Sequence, residues 1–282
     1  MKKEANLAPL RHSLAHLLAA AVKELYPEAL PTLGPAIDNG FYYDFDNLKL
    51  ADGDLGKIEK KMRELGKSWS DFKHQEVSEK DAKKVYKNNP YKLELIEEIT
   101  GKGEIITIYT SGDFTDLCRG GHVENFQDVD LEGFKLDRIA GAYWRGDEKN
   151  KMLTRIYGLA FGSAEELQSY LTMREEAEKR DHRKLGKELD LFTFSDLVGS
   201  GLPLWTPRGT ILRELLDQFV WELRKNYGYE KVTIPHITKK DLYETSGHWA
   251  KYADDLFKIK TREDHLYAMK PMNCPHHTQI YA

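Results

Sequence analysis

A charged helical segment divides this chain into two parts. A capping box begins at Ser163, and the charged residues that follow it predict a helix that runs to about Leu189. The chain has 282 residues, 40% of them hydrophobic, and this content suits two ordinary cores better than one large one. The sequence therefore predicts two domains, residues 1–160 and 186–282, joined by a linker helix at 161–185.

Charge and cysteine content exclude several classes of protein. The 42 Lys and Arg residues against 46 Asp and Glu residues give a net charge of -4, so an RNA-binding surface would have to be a local patch. The basic cluster at 179–187 fits either such a patch or a solvated helix face. Cys118 and Cys274 are too few for a disulfide framework and fit a reducing compartment. Since no segment approaches the ~20 apolar residues of a membrane span, we expect a cytoplasmic protein with no membrane partner.

The first part of the sequence mixes helix and strand signals. Apolar residues recur at helical spacing over residues 10–25 and predict a helix. Strand formers on both sides of Asn39-Gly40 predict a hairpin. The Lys- and Glu-rich residues 54–84 predict solvated helices, and residues 105–109 predict a strand.

Two pairs of side chains in this part could carry chemistry. His12 and His16 are four residues apart and project from one face of the predicted helix. Cys118 and His122 have the same spacing in a loop expected at 113–123. Three imidazoles and a thiol could bind zinc, or they could orient and deprotonate a water for metal-free hydrolysis. The HExxH pattern of zinc proteases is absent, which disfavours that class.

The second part predicts a helix followed by strands. Thr206 supplies the N-cap of an amphipathic helix that Gly228 ends. A strand is expected at 230–235, followed by an antiparallel hairpin within 256–270. Residues 279–282 follow an apparent strand without a closing helix, so the chain is expected to stop inside a domain.

Several stretches of the sequence, taken in order, carry a family resemblance. They are residues 12–16, 34–44, 116–122, 141–147, 180–186, 245–249 and 270–275. Together they resemble threonyl-tRNA synthetases, specifically the editing domain joined to the start of the class II catalytic domain. The helix from Pro207 and the strand to Pro235 also resemble motif 1, which builds the dimer interface of class II enzymes.

The resemblance implies an editing pocket in the first part. Its lining would be His12, His16, Lys92, Asp116, Cys118 and His122. Imidazoles would activate a water, and Asp116 or Lys92 would stabilise charge around the reacting ester. Serine lacks one methyl group of threonine, and one such group gives only ~1–3 kcal/mol of discrimination. The implied activity is therefore hydrolysis of serine from the tRNA for threonine.

In the second part, the resemblance implies part of a synthetic site. Cys274 corresponds to the first of three zinc ligands, and the other two, both histidines, would lie beyond residue 282. His276 and His277 are not expected to be ligands, whereas Met272 would line the threonine pocket. The full-length enzyme would bind tRNA, threonine, zinc and ATP with Mg, and would form a homodimer.

Parts of the family pattern are missing from this sequence. Motifs 2 and 3, whose arginines bind ATP, are absent, as are the anticodon-binding domain and the small domain that commonly precedes the editing domain. We therefore expect an α+β protein: an editing domain of helices on an antiparallel sheet, a linker helix and a partial class II antiparallel-sheet domain that does not aminoacylate alone. Two alternatives stay open, a stand-alone hydrolase that acts in trans on mischarged tRNA and a zinc-stabilised RNA-binding module.

Overall fold

The computed structural model describes residues 6–51 and 53–282. These residues form two units, a first that ends at Asp181 and a second that spans His182–Ala282. Both units combine helices with antiparallel sheets, so the α+β class expected from the sequence is confirmed. In the described part of the chain, no helix has the length and apolar character needed to span a membrane.

The first unit contains two antiparallel sheets with helices packed on them. Its helices are α1 (Ala8–Leu25), α2 (Asp54–Gly66), α3 (Glu79–Val85), α4 (Pro90–Gly101) and α5 (Ala164–Lys179), with short 3-10 turns at Phe126–Asp128 and Trp144–Gly146. Its strands are β1 (Leu30–Pro31), β2 (Ala36–Ile37), β3 (Gly40–Asp46), β4 (Lys73–Val77), β5 (Ile106–Ser111), β6 (Phe114–Leu117), β7 (Phe134–Tyr143) and β8 (Met152–Ala160).

The main core lies between α1 and the larger sheet. Strands β1, β3, β8 and β7 pair in this order, and β2 pairs with β3. Because side chains alternate along a strand, Phe41, Tyr43 and Phe45 of β3 all point to one face, where they are buried with α1. Strands β4, β5 and β6 form the second sheet, against which α3 and α4 bury Ala82 and Ile96. Helices α1 and α4 therefore meet strands of both sheets at one place.

The second unit consists of one long helix and several short helices and strands. Its helices are α6 (His182–Glu188), α7 (Pro207–Lys225), α8 (Lys240–Thr245), α9 (His248–Lys251) and α10 (Cys274–Tyr281). Its strands are β9 (Phe192–Thr193), β10 (Leu204–Trp205), β11 (Ile237–Lys239), β12 (Lys258–Lys260) and β13 (Leu266–Met269). The apolar stripe of α7 is exposed, and its Leu215 and Phe219 are about 60% exposed.

Three predictions for the first unit need correction. The turn of the predicted hairpin lies one residue earlier, because Asn39 takes the left-handed conformation (φ 64°) and Gly40 already pairs with Ile37. The stretch 54–84 is not only helical, since the polar strand β4 pairs with β5 along one edge of the second sheet. The loop expected at 113–123 begins with β6, which also pairs with β5. The predicted helix at 10–25 and strand at 105–109 are confirmed as α1 and β5.

The long helix predicted from Ser163 to about Leu189 is interrupted. Helix α5 ends at Lys179 and α6 begins at His182. In a continuous helix, Lys179 would stand one turn from Arg183, and such like-charge pairs oppose helix formation. The basic cluster that the sequence showed therefore coincides with a helix boundary.

The second unit confirms the helix that Thr206 caps and the hairpin within 256–270, which forms as β12 and β13. Two other predictions were wrong. Residues 230–235 form no strand, because pairing with β13 begins only at Ile237. Residues 279–282 follow no strand either, since α10 extends to Tyr281.

Candidate active site

A cavity of about 600 Å³ lies where α1, α4 and β6 meet in the first unit. The sequence-predicted side chains that line it are His12, His16, Lys92, Asp116 and Cys118. The sixth predicted residue, His122, contacts the Cys118 thiol. The structure thus brings together residues from three separate parts of the chain, 12–16, 92 and 116–122.

Helix α1 presents its two histidines on one face, as the four-residue spacing requires. Their ring centroids are 4.9 Å apart. His16 is buried, whereas His12 lies one turn closer to the helix N-terminus and is half-buried at the cavity wall. His12 is therefore better placed to meet a molecule in the cavity.

The chain after β6 turns tightly and brings His122 back to Cys118. Gly120 and Gly121 have φ values of 91° and 86°, which only glycine adopts readily. The Gly120 amide donates a hydrogen bond to the Cys118 Sγ at 3.2 Å. The same sulfur lies 3.3 Å from His122 Nε2 and 3.5 Å from His12 Nε2. The loop thereby joins the thiol to both imidazoles.

A buried polar network forms the floor of the cavity. The Lys92 ammonium lies 2.5 Å from Asp116 Oδ1, and both side chains are almost completely buried. Tyr43 donates a short hydrogen bond to Asp116 Oδ2 and lies 3.3 Å from Lys92 Nζ. His16 Nε2 stands 4.0 Å from the same carboxylate oxygen. The network ties α4, β3, β6 and α1 together.

Tyr43 is a member of this site that the sequence reasoning did not single out. It lies within the matching stretch 34–44, and its position between Phe41 and Phe45 gave it the inward orientation of a core residue. A tyrosine among inward-facing phenylalanines brings a buried hydroxyl that needs a partner. The alternation of inward-facing aromatic residues along β3 was therefore the sequence feature that could have identified Tyr43 as a site residue.

Burial keeps the cluster of three imidazoles and one thiol, His12, His16, His122 and Cys118, neutral. Desolvation, together with the neighbouring His16 and His12, lowers the pKa of His122 to about 2. Desolvation also lowers the pKa of His12, and it lowers that of His16 well below the usual value. Burial raises the pKa of the Cys118 thiol to about 11. At neutral pH the cluster therefore holds neutral imidazoles and a protonated thiol.

These pKa shifts predict a loss of stability in acid. Below about pH 6.5 the histidines are protonated in the unfolded chain but stay neutral in the folded protein. The free energy of unfolding therefore falls as the pH falls toward the folded-state pKa. For His122 that window runs from about 6.5 down to about 2. We expect His122→Gln to reduce the decline between pH 6 and pH 4 by up to about 1.4 kcal/mol per pH unit. Urea unfolding at several pH values measures this decline.

The matched control is His74→Gln, which removes an exposed imidazole outside the cavity and should leave the decline unchanged. Equal pH dependence in the parent and in His122→Gln would contradict the assignment.

The same three histidines and the cysteine also form a possible metal site. The ligand atoms of His12, His16, Cys118 and His122 all lie within 4.8 Å of one another. The two distances from the Cys118 sulfur, 3.3 Å to His122 Nε2 and 3.5 Å to His12 Nε2, match the edges of a tetrahedral zinc site with bonds of about 2.0–2.3 Å. If all four bound zinc, no position would be left for a reacting water, and such a closed set is typical of structural sites.

The site residues predicted for the second unit are not gathered in this way. Met272 is half-buried, and Cys274 is exposed at the start of α10. His276 is buried, with its Nε2 2.9 Å from the Thr238 hydroxyl, and His277 is exposed. Among the described residues, Cys274 belongs to no group of three or more potential metal ligands. Because a catalytic zinc takes three protein ligands, these residues do not by themselves fit that ion.

Comparisons with known proteins agree on one family. Residues 106–157 match the family model described as the second additional domain of threonyl and alanyl tRNA synthetases. The threonine–tRNA ligase of Flavobacterium psychrophilum is 51% identical over 274 residues, which cover 96% of this chain and 42% of that protein. The ligase of Gloeobacter violaceus is 48% identical over 284 residues, 98% of this chain and 45% of that protein.

A solved RNA-binding domain of threonyl-tRNA synthetase from Cryptosporidium parvum is 35% identical with a TM-score of 0.35, and the match covers 36% of this chain and 25% of that one. The chain spans less than half the length of the ligases that it matches. Because the match to those ligases extends over almost all of the chain, the chain belongs to the threonyl-tRNA synthetase family.

Proposed function

We propose that the first unit is an editing domain that hydrolyses the ester between serine and the tRNA for threonine. The observation that carries this proposal is the gathering of neutral imidazoles beside a buried Lys92–Asp116 pair at one cavity. A neutral imidazole can accept a proton from water, and a fixed cation can stabilise a developing oxyanion. These are the two requirements of ester hydrolysis at neutral pH.

The reaction proceeds by attack of a water on the ester carbonyl carbon. His12, the half-exposed imidazole of the cavity wall, accepts one proton from the water as the carbon–oxygen bond forms. Lys92, which lines the cavity, stabilises the negative charge on the carbonyl oxygen. Collapse of this intermediate breaks the ester bond, and the His12 imidazolium returns the proton to the departing ribose oxygen. Serine and intact tRNA are the products.

Cys118 positions the imidazoles in this mechanism and does not attack the ester. The thiolate is the nucleophilic form of cysteine, and a pKa of about 11 keeps the thiol protonated at neutral pH. Its sulfur contacts His12 and His122. Removing the sulfur would therefore loosen the general base.

The remaining assignments concern the complete enzyme. Residues 1–160 would be the editing domain, 161–185 the linker helix, and 186–282 the N-terminal part of the class II catalytic domain. The complete enzyme would act in the cytoplasm as a homodimer and attach threonine to its tRNA with ATP, Mg and zinc, with Cys274 as one zinc ligand and Met272 at the threonine pocket. No step of the hydrolysis is assigned to that zinc.

A zinc-stabilised RNA-binding module is the competing proposal, because the four donor atoms also suit a closed zinc site. Single-turnover incubation of the 282-residue chain with seryl-tRNA for threonine separates the two. We expect the chain to accelerate loss of serine over buffer alone, and treatment with a zinc chelator to leave the rate and the urea midpoint unchanged. No acceleration, together with a lower urea midpoint after chelation, would favour the zinc module and contradict editing.

A further inference from the structure

The turn between β7 and β8 holds helix α4 through a cluster of polar contacts away from the cavity. The Trp144 indole donates a hydrogen bond to Glu94 Oε2 at 3.0 Å. Arg145 lies 2.7 Å from Glu94 Oε1 through Nε and 2.6 Å from Glu98 Oε1 through Nη1. The guanidinium also stands 5.3 Å from the centre of the Trp144 ring. Two consecutive residues of the turn thus bind two carboxylates one helical turn apart.

Arg145 adopts an unfavourable backbone conformation to make these contacts. Its φ and ψ are 58° and 17°, in the left-handed region that side chains other than Gly, Asn and Asp seldom occupy. Such a conformation persists where the surroundings over-determine it, and it is enriched at functional positions. Exposed ion pairs are individually weak, but here both pairs and the indole hydrogen bond fix the same short turn.

The contacts fall on one stripe of α4, next to a residue of the cavity. Tyr91, Glu94 and Glu98 recur at helical spacing and face the turn. The Tyr91 ring packs edge-on against Trp144, with centroids 5.1 Å apart, and its hydroxyl donates to Asp46 of β3 at 2.9 Å. Lys92 follows Tyr91 directly and so points along a different stripe. The contacts of Tyr91, Glu94 and Glu98 hold α4 against the larger sheet. They therefore fix the position of the Lys92 side chain, which projects from a neighbouring face of the same helix.

We propose that Arg145 is a positioning residue for the ester hydrolysis, acting through Glu94 and Glu98 to hold α4 where Lys92 meets Asp116. The proposal rests on the editing function proposed above. Arg145 does not line the cavity in the described structure, so it touches no substrate there. Asp116 lies on β6 of the second sheet, and Arg145 follows β7 of the first, so α4 transmits position from one sheet to the other.

The test uses Arg145→Gly in the 282-residue chain. Glycine tolerates the left-handed backbone, so this variant removes the guanidinium without adding strain. We expect it to slow single-turnover release of serine from seryl-tRNA about tenfold, the size typical of a lost supporting contact. The matched control is Arg138→Ala, which removes a guanidinium that stacks 4.0 Å over Tyr157 on the same sheet and should change the rate less than about twofold.

Two further readouts separate positioning from general damage. Acetylation of Lys92 by acetic anhydride, followed by peptide mass spectrometry with exposed Lys73 as reference, should rise at least about fivefold in Arg145→Gly, because the buried amine loses its fixed partner. In a Lys92→Met background, Arg145→Gly should slow serine release less than about twofold further, since coupled residues are not additive.

Lys92 acetylation that matches the parent in Arg145→Gly would overturn the proposal, as would an equal tenfold slowing in the Lys92→Met background. The acetylation measurement needs neither activity nor the Lys92 variant. If the parent chain releases no serine, the editing proposal fails, and Lys92 acetylation alone then decides whether Arg145 positions this lysine.

Discussion

Replacing Lys92 by methionine is expected to lower the free energy of unfolding by about 3–5 kcal/mol, because the change leaves the buried Asp116 carboxylate without its cation. The ion pair has the short distance and almost complete burial that make removal of one partner costly. Urea unfolding followed by circular dichroism measures the effect. Release of serine from seryl-tRNA should fall in the same variant, since Lys92 would stabilise the oxyanion.

Lys151→Met is the matched control for that loss. Lys151 also pairs with an aspartate, Asp46, at 2.8 Å, but its side chain is 57% exposed. Exposed pairs contribute about 0–1 kcal/mol. Because an apolar pair can replace a buried ion pair, Lys92→Met combined with Asp116→Leu should recover part of the stability while staying inactive, although the buried Tyr43 hydroxyl loses both partners. Similar destabilisation by Lys92→Met and Lys151→Met would contradict the buried network.

His12→Ala is expected to slow serine release by ~10²–10⁴, the range for a lost general base, and Cys118→Ala is expected to slow it as well, because it loosens that base. His12 is the proposed base, and the Cys118 sulfur, 3.5 Å from His12 Nε2, holds that imidazole in place. Single-turnover assays with excess protein separate this chemical step from binding. His74→Ala serves as control, because His74 is an exposed imidazole of the same unit outside the cavity. If both His12→Ala and Cys118→Ala released serine at the parent rate, the roles of His12 as general base and of Cys118 as its positioning residue would be contradicted.

Local patterns in the sequence predicted the parts of the fold that depend on neighbouring residues. The apolar period over 10–25 gave helix α1, and the spacing of His12 and His16 placed both rings on one face of it. Two of the predictions that failed, those for β4 and for residues 230–235, concern strands. A strand is defined by its partner, and the partner of β4 lies about 30 residues along the chain, where no local pattern reaches.

The cavity itself could not be predicted from periodicity. Cys118 contacts His12 across 106 positions of the sequence, and only the shared chemistry of the two pairs and the family resemblance connected them beforehand. The resemblance also pointed to Lys92, although its roles and those of the other site residues remain predictions. Nothing in the sequence indicated that Arg145 has a positioning role. An arginine with a left-handed backbone in a turn looks the same in sequence as any exposed arginine.

The most direct test of an editing role is the ratio of single-turnover hydrolysis rates for seryl-tRNA and threonyl-tRNA, both charged on the tRNA for threonine, with the 282-residue chain. One methyl group in a closely fitting pocket corresponds to about 10–200-fold discrimination. We predict that serine is released faster than threonine by a factor in this range, and that His12→Ala removes the difference by slowing serine release. Equal rates for the two aminoacyl-tRNAs, or rates no faster than in buffer, would contradict an editing function.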